Sequence, residues 1–209
     1  MINAVSAMMA RYLDESQKEK IKAWLRHLGM EHEDWVRIVE YRECFNFIRS
    51  LHPERLEALE ISGGGRWGQH LNFRSFTEAT YPDYDVCEGQ LDRQFDIIIA
   101  DQVFEHLLWP YRAARNVYAM LKPGGYFVIA TPFLIKVHLA PVDCTRWTET
   151  GMKYFLAECG FSLERIRTGS WGNRACVKAN FNKWAKRGLF DSLKNEEHFP
   201  VTVWAFAQK

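Results

Sequence analysis

No two cysteines in this sequence stand in a C-x-x-C spacing. The five present, Cys44, Cys87, Cys144, Cys159 and Cys176, are scattered and odd in number. This argues against a zinc ribbon and a disulfide framework, and for reduced thiols in a cytoplasmic protein. Long apolar runs are missing too: none approaches the ~20 residues that span a bilayer. The one apolar stretch near the N-terminus, AVSAMMA, has no basic residue before it and is not a secretory signal. Nor is there a strong charge of one sign. A net charge of +1 argues against a general nucleic-acid binder, and no membrane partner is expected.

What is present fits one soluble domain with a three-layer core. The chain has 209 residues, 47% of them hydrophobic and 25% charged. Up to about residue 52 it reads as helical. Asp14 and Gln17 make a capping-box-like start, Ile21, Trp24, Leu25 and Leu28 form an apolar stripe, and Gly29 supplies a stop. A second helix carries Ile38, Tyr41, Phe45 and Ile48 on one face and ends near Pro53.

From about residue 54 strands and helices alternate. RLEALEIS and the weaker RSFTEATY read as strands. QFDIIIA is a continuous apolar run, as in a strand covered on both faces of a parallel sheet. Tyr111, Ala114, Val117, Tyr118 and Leu121 give a helical stripe stopped by KPGG, and YFVIATPF is the next buried strand. Thr148 caps a helix bearing Met152, Phe155, Leu156 and Cys159, stopped by Gly160. Two late strands, within FSLERIRTGSW and FPVTVWAFAQ, flank an amphipathic segment with Phe181, Trp184 and Ala185. The pattern predicts a doubly wound α/β sheet, mostly parallel, with an antiparallel C-terminal edge.

The densest glycine run, Gly63, Gly64 and Gly65, follows the first strand of this series. Such a loop lets backbone N–H groups approach a ligand beyond the carboxyl ends of the strands. Neither a G-x-G-x-x-G fingerprint nor a Gly-Lys-Ser/Thr phosphate loop is present, so a plain turn stays open on this feature alone.

The stretch FDIIIADQVFEHLLWPYRAARNVYAMLKPGGYFVIATPF has a Phe-Asp before an apolar strand, a Glu-His at the following helix, and Leu-Lys-Pro-Gly-Gly before the next strand. In these motifs and their order it resembles the class I S-adenosylmethionine-dependent methyltransferases. HLAPVDCTRWTETGMKYFLAECGF resembles the continuation in one branch of that family. The resemblance implies a Rossmann-like seven-stranded sheet and S-adenosylmethionine as cofactor. It also implies methyl transfer to an O or N atom of a small molecule, possibilities including a sugar or secondary metabolite. It divides the chain into a helical cap over 1–52 and a methyltransferase domain over 53–209 with a helical insert over 171–198. A cofactor-binding regulatory protein without turnover is the alternative. A second copy of the chain is a permitted partner.

Carried over by position, Glu60 takes the acidic place before the glycine loop, to accept from the cofactor's amino group or to orient the loop. Ser62 stands at the first glycine position, Gly64 at the second and Arg66 at the third, with Gly63 and Gly65 between. Glu78 is the acid nearest the ribose position, although Thr80 aligns with it. Asp85 and Val86 fall at the adenine edge, and the backbone at Asp101 and Gln102 lines the cofactor cleft.

A hydroxyl acceptor usually needs a base. The histidines just past the fourth and fifth strands, His106 and His138, are the candidates, with Asp143 and Arg146 near His138 in sequence. His138 and Asp143 tying their loop together is the alternative, and for Glu105 and His106 a structural role at a helix start. No catalytic metal is expected, because no clustered carboxylate pattern flanks the strand ends. Trp109, Trp147, Trp171, Phe181 and Trp184 are expected near the mouth of the site, as walls of an apolar pocket or as ordinary packing. Lys178, Lys183, Lys186 and Arg187 read as a solvated face or an attractor of anions.

Overall fold

A computed structural model describes residues 14, 16, 33–188 and 190–209. The first N-terminal helix expected from sequence lies outside the described residues apart from Asp14 and Ser16. The second is present: a 3-10 turn, Trp35–Arg37, leads into α1 (Ile38–Ser50). Its buried face is Val39, Glu40, Cys44, Phe47 and Ile48. That face is rotated from the stripe expected, with Ile38, Tyr41 and Phe45 only half-buried, and it carries a charged residue into the interior.

Six strands form one sheet: β1 (Glu57–Ile61), β2 (Ser75–Ala79), β3 (Phe95–Asp101), β4 (Leu121–Pro132), β5 (Ile166–Trp171) and β6 (Thr202–Gln208), in the order β2-β1-β3-β4-β6-β5. The pairs among β1 to β4 are parallel, and β6 runs antiparallel to both β4 and β5. The antiparallel member therefore lies one place in from the edge. The seventh strand expected from sequence is missing among the described residues. Between β2 and β3 the stretch TYPDYDVCEGQLDRQ folds as successive turns. It offers no alternating or continuous apolar run from which a strand could be built.

Alternation along the strands sends side chains to two faces. Leu59, Ile61, Ile98, Ala100, Phe127 and Ile129 pack on α3 (Pro110–Met120) and α4 (Glu149–Glu158). Ala58, Ile97, Ile99, Val128 and Ala130 pack on the other side with α1 and with Trp67 of α2 (Arg66–His70). Thr148 caps α4 as expected, its Oγ1 accepting from the Gly151 N–H at 3.0 Å. Among the described residues of the expected helical insert, only α5 (Arg174–Ala179) is helical. Trp171 closes β5, and the rest of the described stretch to residue 198 runs in turns and irregular backbone apart from an isolated bridge at Lys186.

Two of the motifs quoted above hold the sheet together. Asp96 Oδ2 accepts from the Glu57 N–H at 2.8 Å and from Lys122 Nζ at 2.9 Å, and Lys122 also lies 3.0 Å from Glu57. The Asp of Phe-Asp and the Lys of Leu-Lys-Pro-Gly-Gly thus clasp the starts of β1, β3 and β4. The opposite, carboxyl ends of these strands are left to carry the site.

Candidate active site

Two cavities open at the carboxyl ends of the strands. The larger, of about 580 Å³, is lined by Ser62, Tyr81, Asp85, Val86, Gln102, His106 and Trp109 among others. The smaller, of about 230 Å³, lies between the N-terminal segment, the β4 end and the insert. Its wall includes Arg37, Glu40, Gln102, Glu105, His106, His138 and Trp184. Gln102 and His106 belong to both walls.

The larger cavity is walled by Ile61 and Ser62, and the glycine turn that follows them, with Glu60, is not part of its lining. Gly64 has φ +73°, and a Cβ built on it would meet nothing within 4 Å, so the space above its backbone is open. Gly63 is constrained from below: a Cβ there would stand 1.9 Å from Glu60 Oε1. Glu60 is fully buried beneath the turn, and neither of its oxygens makes a well-formed hydrogen bond, the Trp67 N–H being only a weak donor to it. Burial pushes its pKa up to about 7 against the opposing pull of that N–H, with the charges of Glu78 and Asp101 adding to the rise. Two buried acceptor atoms without a well-placed donor are costly, and a cationic group brought to this turn supplies what they lack. Backbone strain occurs on the same wall. Ser62 (φ 52°) and Gln102 (φ 56°) both sit in the left-handed region without being glycine.

Glu78 is exposed and does not line the cavity, but its carboxylate lies beside the turn, 3.0 Å from where a Cβ of Gly65 would be. Thr80 Oγ1 donates to it at 3.4 Å. Asp85 and Val86 are on the cavity wall. One Asp85 oxygen already accepts from the Cys87 N–H at 2.8 Å, which fixes the turn. Asp101 points away from the larger cavity and pairs with Arg37 at 2.8 Å.

That pair belongs to a network the sequence reading missed. Glu40 is fully buried, accepts from Gln102 Nε2 at 3.1 Å and from Thr202 Oγ1, and lies 3.4 Å from Arg37. Burial first, then the nearby Asp101 charge, holds its pKa well above the usual carboxylate range. The one sequence signal was a glutamate on the apolar side of a helix.

On the other flank, Glu105 is fully buried with neither carboxylate oxygen hydrogen-bonded, and burial pushes its pKa up to about 8. Its backbone carbonyl accepts from the Cys144 N–H at 2.7 Å and the Thr145 N–H at 3.3 Å, strapping down the loop after β4. His106 Nδ1 faces the Val142 carbonyl, so Nδ1 carries the proton and Nε2 is left as the acceptor. The His106 and His138 rings stand edge to face, 4.9 Å apart.

Asp143 is held by Arg146 and accepts from the His138 backbone N–H at 2.8 Å. Burial opposes its charge most strongly, but Arg146 and the His138 N–H together outweigh it and keep the pKa low. Asp143 Oδ2 also lies 3.2 Å from His138 Nδ1, off the line of a good hydrogen bond. Burial lowers the His138 pKa, so the ring is neutral. The structure thus brings His106, His138 and Glu105 together, with Asp143 behind.

The aromatic residues separate. Trp109 lines the larger cavity and Trp184 the smaller, its ring 5.5 Å from that of His138. Trp147 and Trp171 are core residues, the first stacked on Phe155 and the second donating from Nε1 to the Leu193 carbonyl. Phe181 is exposed on the surface. Of the basic residues, Lys186 pairs with Asp34 at 2.9 Å, and Arg187 Nε donates to the Asp191 carbonyl.

Residues 37–163 match the sequence profile of a family described as Methyltransferase domain. No curated protein matches the chain. Among solved structures, an S-adenosylmethionine-dependent methyltransferase from Mesorhizobium loti aligns with a TM-score of 0.51 at 15% identity, over 79% of this chain and 97% of that one. One from Archaeoglobus fulgidus aligns at 0.51 and 16%, over 84% and 100%. Haemonchus contortus phosphoethanolamine N-methyltransferase 2, in complex with S-adenosyl-L-methionine, aligns at 0.52 and 13%, over 81% and 52%. At these identities the likeness is one of fold. The profile match covers more than half of the chain, and the chain belongs to this methyltransferase family. A methyltransferase domain makes it an enzyme. Among the described residues no helix is long and apolar enough to cross a membrane.

Proposed function

We propose that the enzyme methylates an O or N atom of a small molecule, of sugar or secondary-metabolite type, with the cofactor in the larger cavity and the acceptor in the smaller. The observation that carries this reading is that the two cavities meet at Gln102 and His106. S-adenosylmethionine supplies an electrophilic methyl group on its sulfonium, so the chain's task is alignment and exclusion of water.

The glycine turn and Glu60 receive the amino-acid end of the cofactor, Glu78 the ribose, and the Asp85–Val86 turn the adenine. His106 and His138 face the acceptor's nucleophilic atom, His106 through Nε2, and Asp143 positions the His138 backbone. Burial holds Glu40 and Glu105 largely protonated, so the small cavity carries little negative charge, and the neutral His138 imidazole suits a hydroxyl acceptor.

Water is kept out by the N-terminal segment and the insert, which join over the small cavity. The Trp35 N–H donates to the Ala185 carbonyl at 2.8 Å, and Asp34 and Lys186 form a bridge. We place the enzyme in the cytoplasm, in keeping with five unpaired cysteines. Release of S-adenosylhomocysteine over a panel of hydroxyl and amine acceptors tests the reading. Tight cofactor binding with no turnover on any small molecule, but turnover on a macromolecule, would overturn it.

A further inference from the structure

We infer that Glu105, His106 and His138 bind a divalent cation of the zinc, cobalt or manganese type at the floor of the smaller cavity. One carboxylate oxygen and one ring nitrogen from each histidine lie within 4.8 Å of one another. The closest edge of this triangle, Glu105 Oε1 to His106 Nε2, is 3.5 Å. A tetrahedral ion with bonds of about 2.1 Å sets neighbouring ligands about 3.4 Å apart, so that edge already fits. Small rotations of the His138 ring complete the set.

Three independent features point the same way. Glu105 is buried with both oxygens unpartnered, an arrangement that calls for a cation or a donor. The Val142 carbonyl opposite His106 Nδ1 fixes the tautomer that offers Nε2 as a ligand. Asp143 lies 3.2 Å from His138 Nδ1, not yet aligned as a hydrogen bond but within reach of one once the ring turns toward an ion. The cations already nearby are otherwise engaged, Arg37 by Asp101 and Arg146 by Asp143.

Two nitrogens and one oxygen suit a borderline cation rather than magnesium or calcium. Three protein ligands leave a position facing the cavity. A cation there takes an oxygen of the acceptor and lowers the pKa of a hydroxyl, so the acceptor class becomes a hydroxyl compound and the histidines serve as ligands rather than bases. This last step rests on the smaller cavity being the acceptor's; the metal site itself does not. The sequence hid the cluster because His138 comes from a different loop and Glu105 reads as a helix-start residue.

The test is a cobalt titration of chelator-treated protein, followed by visible absorption and calorimetry with no cofactor or acceptor present. The wild type should take up one equivalent with the d–d bands of a nitrogen and oxygen site. His138→Ala and Glu105→Gln should weaken uptake by more than about tenfold, and Cys144→Ser should leave it unchanged. Cys144 is the control because its exposed thiol is close by, Sγ 4.0 Å from the His106 carbonyl. His138 is partly exposed, so His138→Ala keeps the test usable if Glu105→Gln does not fold, and circular dichroism verifies the fold of each variant. Equal uptake by wild type and His138→Ala, or a thiolate charge-transfer band lost in Cys144→Ser, would overturn the assignment. Because uptake is read without turnover, failure of the proposed methyl transfer leaves this result standing on its own.

Discussion

Replacing Glu60 by Gln should make the unliganded protein more stable at alkaline pH and worse at holding its cofactor. Glu60 is a buried carboxyl with neither oxygen in a well-formed hydrogen bond, and its pKa is raised from 4.5 to about 7. A folded-state pKa above the unfolded one means that the native state keeps a proton that the unfolded chain gives up. Stability therefore falls as pH rises from about 4.5 to about 7, and the whole penalty is present above that window. At about 1.4 kcal/mol per pH unit, the shift corresponds to ~3 kcal/mol. Gln removes the titration but leaves a buried amide that also lacks partners, a cost of ~1–3 kcal/mol that does not vary with pH. The diagnostic is the difference between conditions. Urea denaturation at pH 8 and pH 5 should show Glu60→Gln gaining on wild type by a few kcal/mol at the higher pH. Calorimetry at pH 8 should show weaker S-adenosylhomocysteine binding, because the cofactor's ammonium loses a charged acceptor. Parallel pH dependence of wild type and variant would refute the reasoning.

Three further outcomes follow from the same geometry. Gly64→Val should abolish S-adenosylmethionine binding, because its side chain enters the open space above the turn and because a β-branched residue resists φ +73° and shifts the turn; unchanged affinity in a folded variant would remove the turn from the cofactor site. Glu78→Ala should weaken cofactor binding by ~1–3 kcal/mol, the cost of losing a charged hydrogen-bond partner; no change would shift the ribose contact to another group. Trp184→Ala should raise the acceptor KM while leaving cofactor affinity as it was, because Trp184 lines only the smaller cavity; a loss of cofactor affinity would contradict the division between the two cavities.

The elements that were legible in the sequence are those whose pattern is settled locally. Phe95–Asp101 and Tyr126–Pro132 are strands covered on both faces, and their apolar runs say so. Thr148 and Gly160 bracket α4 where capping chemistry puts them. The Phe-Asp and Leu-Lys-Pro-Gly-Gly motifs carried the family resemblance, yet they clasp the end of the sheet away from the site. They report fold more directly than chemistry. The sheet was over-counted by one strand because the family resemblance supplied a strand that residues 80–94 cannot form.

The site was legible only in part, because its chemistry is assembled at long range. Arg37, Asp101, Glu40 and Thr202 meet from the N-terminal segment, β3 and β6, and no spacing in the sequence links them. Glu40 disturbed an apolar stripe and shifted the expected helix face. Trp147 and Trp171 were placed near the mouth because tryptophan in loop-like sequence is ambiguous, and packing drew both into the core.

The central claim is that two adjoining cavities receive the two halves of the reaction. A crystal structure of the protein with S-adenosylhomocysteine tests it most directly. The account expects the adenine beside Asp85 and Val86, the amino-acid end at Gly63–Gly65 over Glu60, and the sulfur turned toward Gln102 and His106, where the smaller cavity begins. Density for the ligand in the smaller cavity, or with its sulfur facing away from His106, would contradict it.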